Sequence, residues 1–263
     1  MNQAADFSPS DYSPTELLAT TAAGVLADGD SVFVGTGLPL LAAMLAQKTH
    51  AKDLLIFFEA GGVGPRLRAL PITVGDSRTF HQAISASSMH DLMSLSQAGY
   101  VDYGFLGAAQ IDCRGNINTT VIGEHDAPKV RLPGSGGAND VASFSHKLII
   151  IVRQSKRSFV DKLDFLTSPG YLDGPGAREK AGLPEGGGPH RVITQLAVYD
   201  FEEKSKRMRL HSLHPGVKLE EIQANSGFEI LIPDQVPTSL APTPEQVRLL
   251  RDEIDPAGIV LAK

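Results

Sequence analysis

The sequence predicts an α/β protein with a mostly parallel sheet covered by helices, and two observations carry that prediction. The first 60 residues alternate helix, strand, helix, strand, which is the order of a parallel sheet with crossover helices. The predicted strands at 31–34, 54–58 and 148–152 are unbroken apolar runs, as strands buried on both faces should be.

Each element has a local reason. Residues 1–12 are small, polar and aperiodic and predict a flexible N-terminal arm. Ser13-Pro14-Thr15-Glu16 reads as a helix start, with Ser13 as N-cap, Pro14 at the first helical position and Glu16 closing a capping box. Leu17, Leu18, Thr21, Val25 and Leu26 then recur at helical spacing until Gly29 and Asp30. Gly35-Thr36-Gly37 separates the first strand from a second apolar helix over 38–47, and the strand at 54–58 ends on Glu59. Further on, 80–98 suits a helix with Met89, Leu92 and Leu95 on one side. Residues 101–111 suit a strand running into a turn at 112–116. The stretches 191–201 and 208–213 look like a pair of strands, 219–225 a short helix closed by Gly227, and 228–232 a strand. Thr243-Pro244-Glu245-Gln246 repeats the capping pattern and opens a last helix to about Ile254. The Gly/Pro-rich stretch 168–189 is long enough to call for a special purpose. No repeat or linker divides the chain, so residues 13–263 are expected to form one domain with elaborated loops.

Composition excludes several classes. The chain has 263 residues with a net charge of −6, and 42% are hydrophobic against 21% charged. That is too apolar for disorder and too acidic for general nucleic-acid binding. No run approaches the ~20 apolar residues of a membrane span, and residues 1–11 lack the features of a signal peptide. One cysteine, Cys113, leaves no intrachain disulfide or multi-cysteine metal site and suits a reducing cytoplasm. The eight histidines show no metal-ligand spacing. Glycine is in excess: 26 residues, about 10% where about 7% is usual. Half of them fall in three clusters, at 61–64, 134–137 and 170–188.

Four constellations carry candidate chemistry. Glu59, at the carboxyl end of an apolar strand and followed by Ala60-Gly61-Gly62, stands where open parallel sheets bind ligands. It suits a nucleophile or general base, and its ordinary alternative is a solvated turn residue. Gly134-Ser135-Gly136-Gly137-Ala138-Asn139 can aim backbone N–H groups at an anion or a developing oxyanion, or can be a turn that needs positive φ. Gly35-Thr36-Gly37 is a short strand-to-helix turn that could hold phosphate. Lys129 and Arg131 are candidate anion contacts, or solvated surface charges.

Together these residues resemble the family I CoA-transferases, in particular β subunits of the glutaconate CoA-transferase kind. The resemblance runs in order through Gly35 to Leu40, Glu59-Ala60-Gly61, Gly107 to Asp112, Gly115 to Asn118, Gly134 to Asn139, Thr167 to Gly176 and Arg251 to Pro256. It implies a three-layer α/β/α sandwich of CoA-transferase type, a partner α subunit, an active site at the subunit interface, and coenzyme A as substrate with no permanently bound cofactor. It implies that Glu59 is the catalytic nucleophile, forming acyl-glutamyl anhydride and glutamyl-CoA intermediates. Gly136, Gly137, Ala138 and Asn139 match the family's oxyanion and CoA-contact loop. Where many members have Ser-Glu-Asn-Gly or Glu-Ser-Gly, this chain has Glu59-Ala60-Gly61 and lacks the neighbouring hydroxyl or amide. The expected activity is CoA transfer between an acyl-CoA and a small mono- or dicarboxylic acid. The alternatives are a CoA-thioester hydrolase or decarboxylase of ring or branched-acid degradation, and a non-catalytic scaffold on the same fold.

Overall fold

A computed structural model describes residues 11–261. Its centre is a nine-stranded sheet in the order β13-β12-β11-β10-β5-β1-β2-β3-β4. The five central strands are parallel: β11 (Pro189–Ile193), β10 (Lys147–Ile151), β5 (Tyr103–Gly107), β1 (Ser31–Phe33) and β2 (Leu55–Phe57). Antiparallel strands close both edges: β12 (Ala197–Phe201) and β13 (Met208–Leu213) at one, β3 (Gly62–Val63) and β4 (Ser85–Ala86) at the other.

Strand periodicity divides the core into two layers. Leu148, Ile150 and Val152 face one cluster, while Ile149 and Ile151 face the other. On the second side lie α1 (Pro14–Ala23) and α2 (Leu38–Lys48), with α2 buried continuously from Leu40 to Ala46. A helix apolar all round needs such a position between sheet and neighbouring helices. On the first side lie α3 (Met89–Gln97), α4 (Ala138–Phe144) and α6 (Leu219–Ala224). The result is the expected α/β/α sandwich with a mostly parallel sheet.

Ser13 caps α1 through a complete capping box, and the Glu16 carboxylate that closes it is buried. Glu16 also accepts two hydrogen bonds from Arg251, at 2.6 and 2.9 Å, fastening the first helix to the last helical segment. That segment starts as α7 (Pro244–Arg248), capped by Thr243 as expected, and continues as a wider π-type helix over Leu249–Ile254. Most of the expected N-terminal arm, residues 1–10, lies outside the described residues; Tyr12 is buried beside Leu17 and Val247.

Four expectations need correction. The helix expected over 80–98 is confined to α3, because Ser88 caps it through Asp91 and the preceding residues pair as β4 with β3. The strand expected over 101–111 is interrupted at Ala108-Ala109, after which β6 (Gln110–Ile111) pairs with β7 (Ile117–Asn118) in a separate hairpin. The stretch 191–201 is two strands, β11 and β12, because the Thr194 hydroxyl accepts from the N–H groups of Leu196 and Ala197 and turns the chain. Over 228–232 only Leu231 bridges to β13, so no strand forms there.

The Gly/Pro-rich stretch 168–189 is a strap with one short helix, α5 (Ala177–Lys180). Asn116 Oδ1 accepts from Gly170 N and Leu172 N at 2.8 and 2.9 Å. Gly170 passes so close to Gly115 and Asn116 that a Cβ there would overlap their backbone. Arg178, 2% exposed, donates to the carbonyls of Gly170 (2.8 Å), Ser143 (3.1 Å) and Ala142 (3.2 Å), tying the strap to the end of α4.

Arg178→Met strips these buried carbonyls of their donor and is expected to cost about 3 kcal/mol; thermal unfolding that leaves the midpoint unchanged would remove the strap's structural role. A second expectation concerns pH. His190 has its pKa pushed down from 6.5 to about 4 by burial and by nearby Arg191 and Lys147, with Asp200 opposing. The folded chain thus keeps His190 neutral where the unfolded chain takes up a proton. That contribution is complete above about pH 6.5 and is lost as the pH falls toward about 4. In urea titrations His190→Gln is therefore expected to lose less stability than the parent between these two pH values.

Candidate functional site

The strand order creates the site. From β1 the chain moves to β2 on one side and later to β5 on the other, so a crevice opens beyond the carboxyl ends of β1 and β5. A cavity of about 500 Å³ lies there. Its lining includes Gly35 and Thr36 after β1, Leu106 and Gly107 at the end of β5, Arg153 after β10, the loop Ser135 to Ala138, and Glu59.

Glu59 sits in a tight turn after β2. Phe58 N donates to Gly62 O and Gly61 N to Phe58 O, at 2.9 and 2.8 Å, leaving Glu59 and Ala60 as the turn residues. Gly61 has φ +118°. A Cβ at Gly61 would overlap the Ser87 carbonyl, and one at Gly62 would overlap that of Thr79. These glycines let the segments carrying Thr79 and Ser87 close over the turn, which fixes where Glu59 stands.

The second glycine cluster meets that carboxylate. Gly134 is held by a backbone bond to Thr119 O (2.8 Å) and by the Thr119 hydroxyl on its carbonyl (2.9 Å). Gly136 has φ +49°. A Cβ on Gly137 would lie 3.0 Å from Glu59 Oε1 and 2.8 Å from Met93 Cε, so bare backbone packs directly on the carboxyl group. Among the described residues, the N–H groups of Gly136 and Gly137 donate to no protein acceptor. The arrangement can therefore present fixed donors beside a nucleophilic oxygen.

The structure brings Gly136, Gly137 and Ala138 into the cavity lining with Glu59, together with Gly35 and Thr36. Asn139 lies outside the lining: its side chain donates to Thr167 O at 3.0 Å and accepts from Ser143. Lys129 and Arg131 also lie outside it. They are exposed on the hairpin of β8 (Val121–Ile122) and β9 (Val130–Arg131), where Arg131 donates to His125 O. Arg153 was missed by sequence reasoning, although it follows an apolar strand in the same way as Glu59. Among the described residues no cluster of His, Cys, Asp and Glu suits a metal. His214 is buried with both ring nitrogens bonded, to Thr194 O and Ser239 Oγ.

A doubly covered parallel sheet with a carboxylate beside a glycine loop at its switch point marks an α/β protein with a ligand crevice at that point. The Coenzyme A transferase family model matches residues 15–225, and the chain belongs to that family. It is 42% identical to the β subunit of 3-oxoadipate CoA-transferase from Pseudomonas knackmussii over 91% of this chain and 92% of that one. It is 38% identical to the β subunit of glutaconate CoA-transferase from Acidaminococcus fermentans over 93% of both chains. The crystal structure of the Acidaminococcus enzyme superposes with a TM-score of 0.90, covering 95% of this chain and 98% of that one. The decarboxylase AibA/AibB is more distant, at 26% identity and a TM-score of 0.81 over 96% and 98% of the two chains.

Gly61→Ala tests how the turn is held. It introduces both a positive-φ strain and an overlap with the Ser87 carbonyl, and is expected to cost about 3 kcal/mol. Hydrogen exchange should quicken over residues 61–88; unchanged protection there would show that the turn does not depend on this approach.

Proposed function

We propose that the chain is the β subunit of a heteromeric CoA-transferase that moves CoA between an acyl-CoA and a small mono- or dicarboxylic acid, with Glu59 as nucleophile. The observation that carries the reading is that a Cβ on Gly137 would stand 3.0 Å from Glu59 Oε1, so the glycine loop lies beside this carboxylate with no side chain of its own between them. The two relatives at 42% and 38% identity are both CoA-transferase β subunits, which supports the reading and implies an α-type partner.

The chemistry is the scheme that the family resemblance implies. A Glu59 carboxylate oxygen attacks the thioester carbonyl of the donor; the C–S bond breaks, CoA leaves as thiolate, and an acyl-glutamyl anhydride remains. The thiolate then attacks the Glu59 carbonyl carbon, the donor acid leaves as carboxylate, and glutamyl-CoA is formed. An acceptor carboxylate attacks this thioester and expels the thiolate, which takes the acceptor acyl group and restores Glu59. Each addition makes a tetrahedral oxyanion, and the N–H groups of Gly136 and Gly137, which line the cavity and donate to no acceptor among the described residues, are the donors this reading assigns to it. Apolar lining from Phe33, Leu38 and Val141 limits water, which would otherwise hydrolyse the anhydride. CoA is a substrate in this scheme and no resident cofactor takes part. A reducing, cytoplasmic setting belongs to the same reading and rests on the lone Cys113.

The test uses the complex of this chain with its α-type subunit. Incubation with acyl-CoA should add CoA to the peptide containing Glu59, visible by mass spectrometry. Glu59→Gln should lose the adduct and slow exchange by about 10³-fold or more. Undiminished exchange by that variant would overturn the assignment. Free CoA release without added acid, as fast as exchange with it, would favour a hydrolase.

A further inference from the structure

We propose that Arg153 binds the second carboxylate of a dicarboxylic substrate at this site, an inference that rests on the transferase reading above. Among the residues lining the cavity, Arg153 and Glu59 are the only two with ionisable side chains. Arg78, Arg209, Arg248 and Arg251 each pair with a carboxylate of this chain. The Arg153 guanidinium makes no ion pair or hydrogen bond among the described residues. A cation without a protein partner, in a cavity lined mostly by apolar groups and glycines, is a binding element for an anion.

Its base is firmly held. Val152 N donates to Ile193 O at 3.1 Å and Gln154 N to Gln195 Oε1 at 2.8 Å, while the Ser158 hydroxyl donates to the Arg153 carbonyl. Arg153 is exposed but leaves a backbone fixed on both sides, which limits what its side chain loses on binding a ligand.

The strand order sets the scale of the ligand. Arg153 follows β10 and Glu59 follows β2, and the order β10-β5-β1-β2 puts three strand spacings between them, about 14 Å. Between them the strand ends carry Gly35 and Gly107. A Cβ on Gly35 would meet nothing within 4 Å, so the floor of the crevice is open. Both side chains line the one cavity between these strand ends, and a linear acid of four to six carbons, with its carboxyl carbons about 4–6 Å apart, is the short dicarboxylate proposed to lie there. One carboxyl group then reacts at Glu59 while the other takes the planar fork of Arg153. The phosphates of CoA are the other source of anion, and kinetics separates the two.

The experiment measures CoA exchange by the complete complex with straight-chain C4–C6 dicarboxylates and with the monocarboxylates of the same length. Arg153→Met keeps the aliphatic stem. It is expected to raise KM for the dicarboxylates by about 10- to 100-fold, with KM for monocarboxylates and for acyl-CoA unchanged, and Arg153→Lys should recover part of the loss. Activity on monocarboxylates shows that the variant is folded. An equal loss with both acids, a raised KM for acyl-CoA alone, or no change with either acid overturns the assignment of Arg153 and leaves the transferase reading intact. Absence of exchange with any acid by the unaltered complex overturns both.

Discussion

The site depends on one approach: unsubstituted backbone lying against a carboxylate. Gly137 can meet Glu59 only because neither the loop nor the turn presents a side chain between them. The two residues are far apart in sequence and are joined by the sheet. The turn after β2 delivers one, and the loop before α4 and β10 delivers the other. Each is held by its own contacts. The turn is held by the closure of Thr79 and Ser87 over Gly61 and Gly62, the loop by Thr119, and α4 behind it by Arg178 of the strap. A displacement of even about 1 Å between reacting groups costs on the order of 10²-fold in rate, so on the proposed reading these remote contacts matter to the chemistry as much as Glu59 does.

The sheet explains why the crevice lies where it does. Parallel strands bring all their carboxyl ends to one edge, and at β1 the order reverses. The two core layers on either face hold these ends in register, since alternate residues of β10 pack into opposite clusters. The antiparallel strands at both edges extend the sheet without adding to the crevice. Their role is coverage, and in β3 and β4 it is also closure over the Glu59 turn.

Much of this was legible in the residues. The central strands announced themselves because burial on both faces demands continuous apolar runs, and the helices at Ser13 and Thr243 because their capping boxes are local. Glu59 and the Gly136-Gly137 loop were found as separate candidates, and family resemblance joined them. What was missed has physical reasons. Strands of two residues, such as β3 to β4 and β6 to β9, are too short to show a period. The β11–β12 turn uses the Thr194 side chain where glycine or proline would have signalled it. Lys129 and Arg131 are close to the loop in sequence, yet the β8–β9 hairpin carries them away from the cavity. Asn139 follows the loop but spends its side chain on Thr167 and Ser143. Arg153 escaped because a lone arginine after a strand has no motif.

The glycines around the cavity fit the way polarity is supplied on the proposed reading. A titrating donor beside Glu59 would change charge with pH and would be neutralised by the carboxylate before substrate arrived. Backbone N–H groups do neither, and they stay polarised in a cavity walled by Phe33, Leu38 and Val141. To reach the reacting atoms they need a chain without side chains at the point of contact, and so glycine occurs at Gly35, Gly107, Gly136 and Gly137 around one cavity. The ionisable residues lining it are then only two, Glu59 after β2 and Arg153 after β10. On the proposed reading the two treat the ends of one substrate differently, one bonded covalently and the other only held.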